Sequence, residues 1–292
     1  MRLTKEKIEE FQHIILTYFN ENGRSFPWRE TQDPYKILCS ELMLQQTQTE
    51  RVIPKYKAWL ERFPTAKDLA AANFSDVLIQ WSGLGYNRRA RFLQNACKTV
   101  VEKFNGEFPH TKNELQKLSG VGPYTSGAVS AFAFNNPEIF IETNIRAVYI
   151  FFFYSNKTGV SDSDLLQLIE QTLYKENPRI WYYALMDYGA ELKRKIKNPN
   201  RKSAHYTKQT KFEGSLRQAR GAILRQLTNL SSKQNSPSSD ELSFQSTKIT
   251  LKDISKAESI EYERIVKAAE SLKMEGFICA EGDTVYLDNQ SK

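Results

Sequence analysis

An all-helical fold is predicted for this chain, and three observations predict it. Apolar residues recur near the 3.6-residue period in segment after segment, short Gly, Pro and Asn punctuation separates those segments, and strand patterns are nearly absent before one C-terminal hairpin. Residues 5–20 set Ile8, Phe11, Ile15, Tyr18 and Phe19 near one helical stripe. Asp33-Pro34 reads as an N-cap followed by proline in the first turn, opening a helix to about Gln46. Helices at about 50–62, 66–70, 75–81, 88–104 and 111–117 follow. Gly120-Val121-Gly122 then separates one helix from another that opens at Pro123 and stops before Asn135-Asn136-Pro137. A long aromatic helix opens near Thr143, with Ile145, Val148, Tyr149, Phe152 and Phe153 on one stripe, and two more cover about 161–175 and 178–192.

After Gly214 the character changes. A helix near 215–229 leads into a Ser-rich stretch over 231–239, too polar to fold alone. Helices near 250–256 and 259–275 and a hairpin over 277–287, turning at Glu281-Gly282-Asp283, complete the chain. Three helices ending in a hairpin have the outline of a winged helix, a small module that contacts DNA or protein.

The 292 residues suffice for two domains, or for one two-lobed body with an appendage. Hydrophobic content of 40% with 26% charged residues is ordinary for a globular protein, and no apolar run approaches the ~20 residues of a membrane span. The first ten residues lack the apolar core and cleavage site of a secretory signal, so a cytoplasmic protein without a membrane partner is expected. Cys39, Cys97 and Cys279 stand far apart without a CxxC or a His companion, which indicates neither a metal site nor a disulfide framework. The formal charge of +7 suits a polyanionic partner. Eight Lys or Arg residues and no carboxylate lie between Lys193 and Phe212, which reads either as a solvated loop or as a phosphate-facing segment.

Leu118-Ser119-Gly120-Val121-Gly122-Pro123-Tyr124-Thr125 is the first segment with chemistry in it. Its glycines let the backbone turn tightly and present N–H groups at a helix N-terminus, a geometry that binds a phosphate, although a helix hairpin needs glycine for steric reasons alone. Glu142 stands just ahead of the aromatic helix, close to Asn144, where the positive end of the helix dipole favours an ionised carboxylate. Glu41 projects from the apolar stripe of the Pro34 helix, where burial would raise its pKa. Two carboxylates in contrasting environments make an acid and a stabilising anion. The alternatives are an N-cap role for Glu142 and a buried structural hydrogen bond for Glu41.

Ser40-Glu41-Leu42-Met43-Leu44-Gln45-Gln46-Thr47-Gln48, Trp81-Ser82-Gly83-Leu84-Gly85-Tyr86, residues 118–125 and Ala184-Leu185-Met186-Asp187-Tyr188-Gly189-Ala190 together resemble the MutY-type adenine DNA glycosylases. These belong to the helix-hairpin-helix, endonuclease III-like superfamily. The resemblance covers about residues 5–192 and implies a two-lobed fold, with residues 26–134 as a six-helix barrel and residues 1–25 with 135–212 as the second lobe; outside it, 215–292 is expected to be the winged-helix-like module that its helices and hairpin outline. It implies a monofunctional glycosylase acting on double-stranded DNA that holds a mispaired or modified purine, with adenine in a mispair as first choice. N6-methyladenine, a mismatched uracil or thymine, and a catalytically silent DNA-binding homologue are the alternatives.

By the same resemblance Glu41 is the general acid at purine N7, Glu142 stabilises the sugar cation beside Asn144, and Tyr124 supports the cationic transition state. Gln45, Gln46, Leu84, Gly85 and Tyr86 match groups that enter the base stack. Gly120, Val121, Gly122 and Thr125 match the phosphate-binding hairpin. Lys193, Arg194, Arg201 and Lys202 extend the DNA contact. The chain departs from the family in three places. Glu142 replaces an aspartate. The four cysteines that hold an iron-sulfur cluster after the 184–190 segment are missing, so no cofactor is expected. The residues after Gly214 do not resemble the Nudix-like domain that reads 8-oxoguanine. A monomer is expected.

Overall fold

The computed structural model describes residues 1–208, 211–234 and 248–288. Its helices are α1 (Lys5–Asn22), α2 (Pro34–Leu44), α3 (Thr49–Arg62), α4 (Ala66–Ala71), α5 (Phe74–Trp81), α6 (Arg88–Lys103), α7 (Lys112–Leu115), α8 (Pro123–Phe134), α9 (Thr143–Phe153), α10 (Asp162–Thr172), α11 (Pro178–Lys195), α12 (Leu216–Gln234), α13 (Leu251–Glu258) and α14 (Tyr262–Met274). Strands β1 (Ile249–Thr250), β2 (Ile278–Glu281) and β3 (Thr284–Leu287) accompany the last three helices. The predicted all-helical class holds. Local chemistry explains the starts: Asp33 caps α2 by accepting from the Tyr35 amide ahead of Pro34, and Thr65 and Asp68 form a reciprocal capping box on α4. Among the described residues no helix is long and apolar enough to cross a membrane.

The chain divides into two compact units: Met1–Gln45 with Thr99–Lys208, and Gln46–Lys98 with Gln209–Lys292. The first is built on α9 and α11. Phe11 of α1 packs edge-on against Tyr149 and Trp181, at centroid distances of 5.4 and 5.7 Å, and all three rings are buried. Gly189 sits where α11 meets the start of α9. A Cβ there would lie 2.3 Å from the Asn144 carbonyl oxygen, so only glycine permits this approach.

In the second unit Trp59, Trp81 and Phe63 form one buried aromatic group. The C-terminal residues add to this unit instead of standing apart as an appendage. Phe277, 1% exposed, lies 5.6 Å from Phe74, and the Arg91 guanidinium covers both rings at 4.9 and 4.0 Å while donating to the Gly276 carbonyl. The division therefore cuts the expected 26–134 barrel, joining its 46–98 stretch to the C-terminal module. The hairpin is present as β2 and β3, and the two-residue β1 adds to it antiparallel in the order β1-β3-β2. Helix, short strand, two helices and a hairpin make a winged-helix topology. The Ser-rich stretch falls largely outside the described residues.

Phe277→Ala is expected to cost about 3–5 kcal/mol, the usual loss for emptying a buried phenylalanine site, with a matching fall in the urea midpoint. An unchanged midpoint would show that the module contributes nothing to the core of its unit.

Candidate active site

Helix α2 is buried on most of its surface, and Glu41 is 6% exposed among Ile37, Leu38, Leu42 and Met43. Its partner comes from α8. Gly122 caps that helix with extended backbone and no side chain, Pro123 takes the first position, and Tyr124 follows in the first turn. The Tyr124 hydroxyl donates to Glu41 Oε2 at 2.7 Å. Burial pushes the Glu41 carboxyl up; the Tyr124 bond and Arg29 pull it down, Glu142 pushes it up, and the result is about 7. Burial, joined by the charges of Glu41 and Glu142, holds the Tyr124 phenol well above its ordinary value, so it remains a donor.

Glu142 is the N-cap of α9. Its Oε1 accepts from the backbone amides of Asn144 and Ile145 at 2.7 and 2.8 Å, and its Oε2 accepts from the Asn144 side chain and the Thr143 hydroxyl, both at 3.1 Å. The capping alternative is therefore realised, and the same bonds fix a carboxylate at the positive end of a helix. Asn144 is held from the other side by the close approach of Gly189. Lys193, half-buried one turn beyond Gly189, is lowered by burial and partly restored by the Glu142 charge.

A buried ion cluster escapes sequence reading. The Asp187 carboxylate, 1% exposed at its side chain, takes paired bonds from Arg29 at 2.8 Å and bonds from the Arg24 side chain at 2.6 and 2.9 Å. Burial works to raise the Asp187 carboxyl and the two arginines bring it below its ordinary value. Arg29 also lies 4.5 Å over the Tyr183 ring and reaches Glu41 electrostatically. An acid inside the apolar stripe of α11 is the signal that could have revealed this cluster.

Glu41, Tyr124, Glu142 and Asn144 thus share the first unit. Gln45 reaches Thr125 Oγ1 only at 3.5 Å. The Gly120 backbone is left-handed at φ 74°, and Val121 and Thr125 are buried while Gly120, Gly122 and Pro123 are exposed. Gln46, Leu84, Gly85 and Tyr86 lie in the second unit. There Gln46 and Tyr86 hold left-handed backbones, at φ 55° and 47°, unusual away from glycine and frequent at working sites. Leu84 is 3% exposed, so its side chain belongs to the core of that unit and not to a protein surface.

The basic stretch is not the loop that was expected. Lys193, Arg194 and Lys195 form the last turn of α11, and Arg194 and Lys195 pair with Glu191 at 2.7 and 3.1 Å. Arg201 and Lys202 sit in a 3₁₀ turn over Pro199–Lys202. That turn is folded by ordinary means: Pro199 and Asn200 are buried, Asn200 donates to the Thr143 carbonyl at 2.8 Å, and Val160 exchanges backbone bonds with Lys202 and Ala204 at 2.9 Å. An iron-sulfur cluster does not fit these residues. The stretch holds no cysteine, the three cysteines are scattered, and no group of metal ligands occurs among the described residues.

Residues 39–173 match the family of HhH-GPD superfamily base excision DNA repair proteins. The chain carries an HhH-GPD domain. It is 36% identical over 185 residues to the adenine DNA glycosylase of Buchnera aphidicola subsp. Baizongia pistaciae, covering 62% of this chain and 52% of that one. It is also 36% identical over 151 residues to the adenine DNA glycosylase of Homo sapiens, covering 49% and 28%. A solved thermostable thymine-DNA glycosylase is 28% identical with a TM-score of 0.58, covering 63% of this chain and 87% of that one. The chain spans about half the length of the Buchnera relative.

The Glu41 carboxyl in the HhH-GPD domain has a folded pKa raised to about 7 against an unfolded value near 4.5, so the folded state holds the extra proton between them. Stability therefore falls as pH rises through that window. Glu41→Gln is expected to melt higher than wild type at pH 8 and to lose that advantage below about pH 4.5. Parallel melting curves at both pH values would refute the assignment.

Proposed function

We propose that the chain is a monofunctional adenine DNA glycosylase that removes adenine from a mispair in double-stranded DNA, acting as a cytoplasmic monomer that needs no iron-sulfur cluster. The observation that carries this reading is the bond from the half-buried Tyr124 to the buried Glu41, with Glu41 poised near 7 and raised in part by Glu142. A carboxyl titrating near the working pH is suited to general acid catalysis. With Tyr124 bonded to Oε2, the Glu41 proton resides on Oε1 and passes to purine N7 as the C1′–N9 bond breaks and its electron pair leaves with the base. Glu142, already held by four donors, faces the developing sugar cation without reorganising. Water then adds at C1′ and gives its proton to the Glu41 carboxylate that the first step left ionised. Tyr124 offers a hydroxyl and no amine, so no Schiff base forms there and the strand stays intact.

Gln46 and the Gly85–Tyr86 tip of the turn, with Leu84 left in the core beneath it, enter the stack as the base flips, a step costing a few kcal/mol. The hairpin amides at Gly120 and Gly122, the α11 terminus at Lys193 and Arg194, and Arg201 and Lys202 meet phosphates. Likeness to a thymine-DNA glycosylase favours a second reading, excision of a mismatched pyrimidine, which has less use for an acid directed at N7.

Single-turnover release from duplexes holding adenine, N6-methyladenine, uracil or thymine opposite each base decides between them. Adenine release is expected; thymine or uracil release supports the second reading, and no release from any duplex leaves a DNA-binding protein. Glu41→Gln is expected to bind duplex but lose ~10²–10⁴-fold in rate, and the wild-type rate should decline as pH rises above about 7, because the protonated acid is consumed. Glu142→Gln is expected to bind and barely turn over, whereas Glu142→Asp should stay within roughly tenfold. Wild-type rates in both glutamine variants would overturn these roles. Purified protein is expected to lack stoichiometric iron by atomic absorption.

A further inference from the structure

The Gly83–Tyr86 turn is held rigidly along its backbone. Gly83, Gly85 and Tyr86 are left-handed at φ 90°, 71° and 47°, the Trp81 indole donates to the Gly85 carbonyl at 3.0 Å, and Arg89 donates to the Leu84 and Gly85 carbonyls at 3.1 and 3.0 Å. These bonds fix the main chain, and Arg89 also lies 5.4 Å from the Tyr86 ring, whose phenol is 38% exposed. The C-terminal module reaches it: Arg217, in the first turn of α12, donates from Nη1 to the Tyr86 hydroxyl at 2.8 Å.

The rest of α12 explains why that contact is stiff. Arg220 lies three residues on, on the same helical face, and binds Glu275 at 2.7 Å, which also takes Arg88 at 2.7 Å. Burial works to raise the Glu275 carboxyl, and the bonds from Arg88 and Arg220 carry it down to about 2. Arg88 follows Tyr86 by two residues, so one clamp pins α12, the end of α14 and the start of α6 beside the turn. Charge limits what else the module offers a polyanion. Residues 248–288 carry six Lys or Arg against nine Asp or Glu, while the described part of α12 presents Arg217, Arg220 and Arg225 without a carboxylate.

We propose that Arg217 is a positioning residue for Tyr86, through which the C-terminal winged-helix module sets how the 83–86 turn enters duplex DNA. The proposal rests on the stack-entering role given to Tyr86 above. The module thus acts on lesion recognition through the first turn of α12, and its acidic wing stays off the DNA.

The test uses the full chain and a duplex with a tetrahydrofuran abasic analogue, flanked by 2-aminopurine, so that no base excision is needed. Binding is read by anisotropy and unstacking by 2-aminopurine fluorescence, with melting temperatures alongside. Arg217→Ala and Tyr86→Phe are each expected to weaken binding about five- to tenfold and to lower the fluorescence gain, the net weight of one ordinary solvent-exposed hydrogen bond. The double variant should lose no more than the worse single one, and Arg217→Lys should recover part of the loss. Additive losses would mean that Arg217 acts on phosphate by itself, and unchanged affinity in Tyr86→Phe would mean that its hydroxyl is not aimed; either overturns the proposal. Should Arg217→Ala melt early, Tyr86→Phe alone still decides. If no duplex releases a base, the glycosylase reading fails while this binding measurement stands.

Discussion

A carboxyl group placed inside an apolar helix must be neutral, paired, or poised between the two, and Glu41 is poised. Burial favours the proton, and the Tyr124 hydroxyl and the distant Arg29 oppose it. Arg29 itself is nearly buried, and its charge is balanced by Asp187, which Arg24 shares. Were Arg29 unbalanced, it would favour the ionised form of Glu41 far more strongly; were it absent, Asp187 would be left a buried acid with one exposed partner. Leaving one member of such a cluster unpaired costs several kcal/mol. Arg29, the smallest of the four influences on Glu41, thus ties the acid to an ion network that includes α11 and the segment before α2.

Much of this was legible in the residues. The Asp33-Pro34 signal places α2, and the position of Glu41 within its stripe places the carboxyl in the core. The GxG spacing places Tyr124 at the start of α8. Other features were not legible for definite physical reasons. Arg29 and Asp187 are separated by 158 residues, and nothing local marks an arginine whose partner lies so far along the chain. The Arg88–Glu275 pair spans 187 residues, so the union of the C-terminal module with the 46–98 stretch had no sequence signature. β1 is two residues long, too short to show a period. Leu84 was assigned outward by resemblance although its own character is that of a core residue, and the core has it.

The basic segment shows how the stretch after α11 is folded by hydrogen bonds and burial. Helix α11 continues three residues past its expected end because Lys193, Arg194 and Lys195 suit a helix C-terminus, where the dipole favours cations. Burial of Pro199 and Asn200 and the Asn200 bond to the Thr143 carbonyl then fasten the following turn to the start of α9. This attachment has a cost in charge. Arg194 and Lys195 are engaged with Glu191, which those bonds lower to about 2, so fewer of the eight cations stand ready for phosphates than the composition suggests. Exposed pairs of this kind are worth little and exchange readily for a phosphate, so the salt dependence of binding should report the exchange and not a bare cation count.

The added methylene of Glu142 is absorbed in the same neighbourhood. A glutamate at an N-cap has to fold back to reach the amides that an aspartate meets directly, and here the fold-back is completed by the Asn144 side chain and the Thr143 hydroxyl on Oε2. The carboxylate ends with four donors, so its position is set by α9 and not by its own torsions. What then fixes α9 is the contact that Gly189 permits with the Asn144 carbonyl and the bond that Asn200 makes to Thr143. The longer arm thus moves the demand for accuracy away from the side chain and onto two backbone contacts. Positioning errors of about 1 Å can cost 10²-fold in rate, so under the role proposed for Glu142 those backbone contacts are where its function is most easily lost.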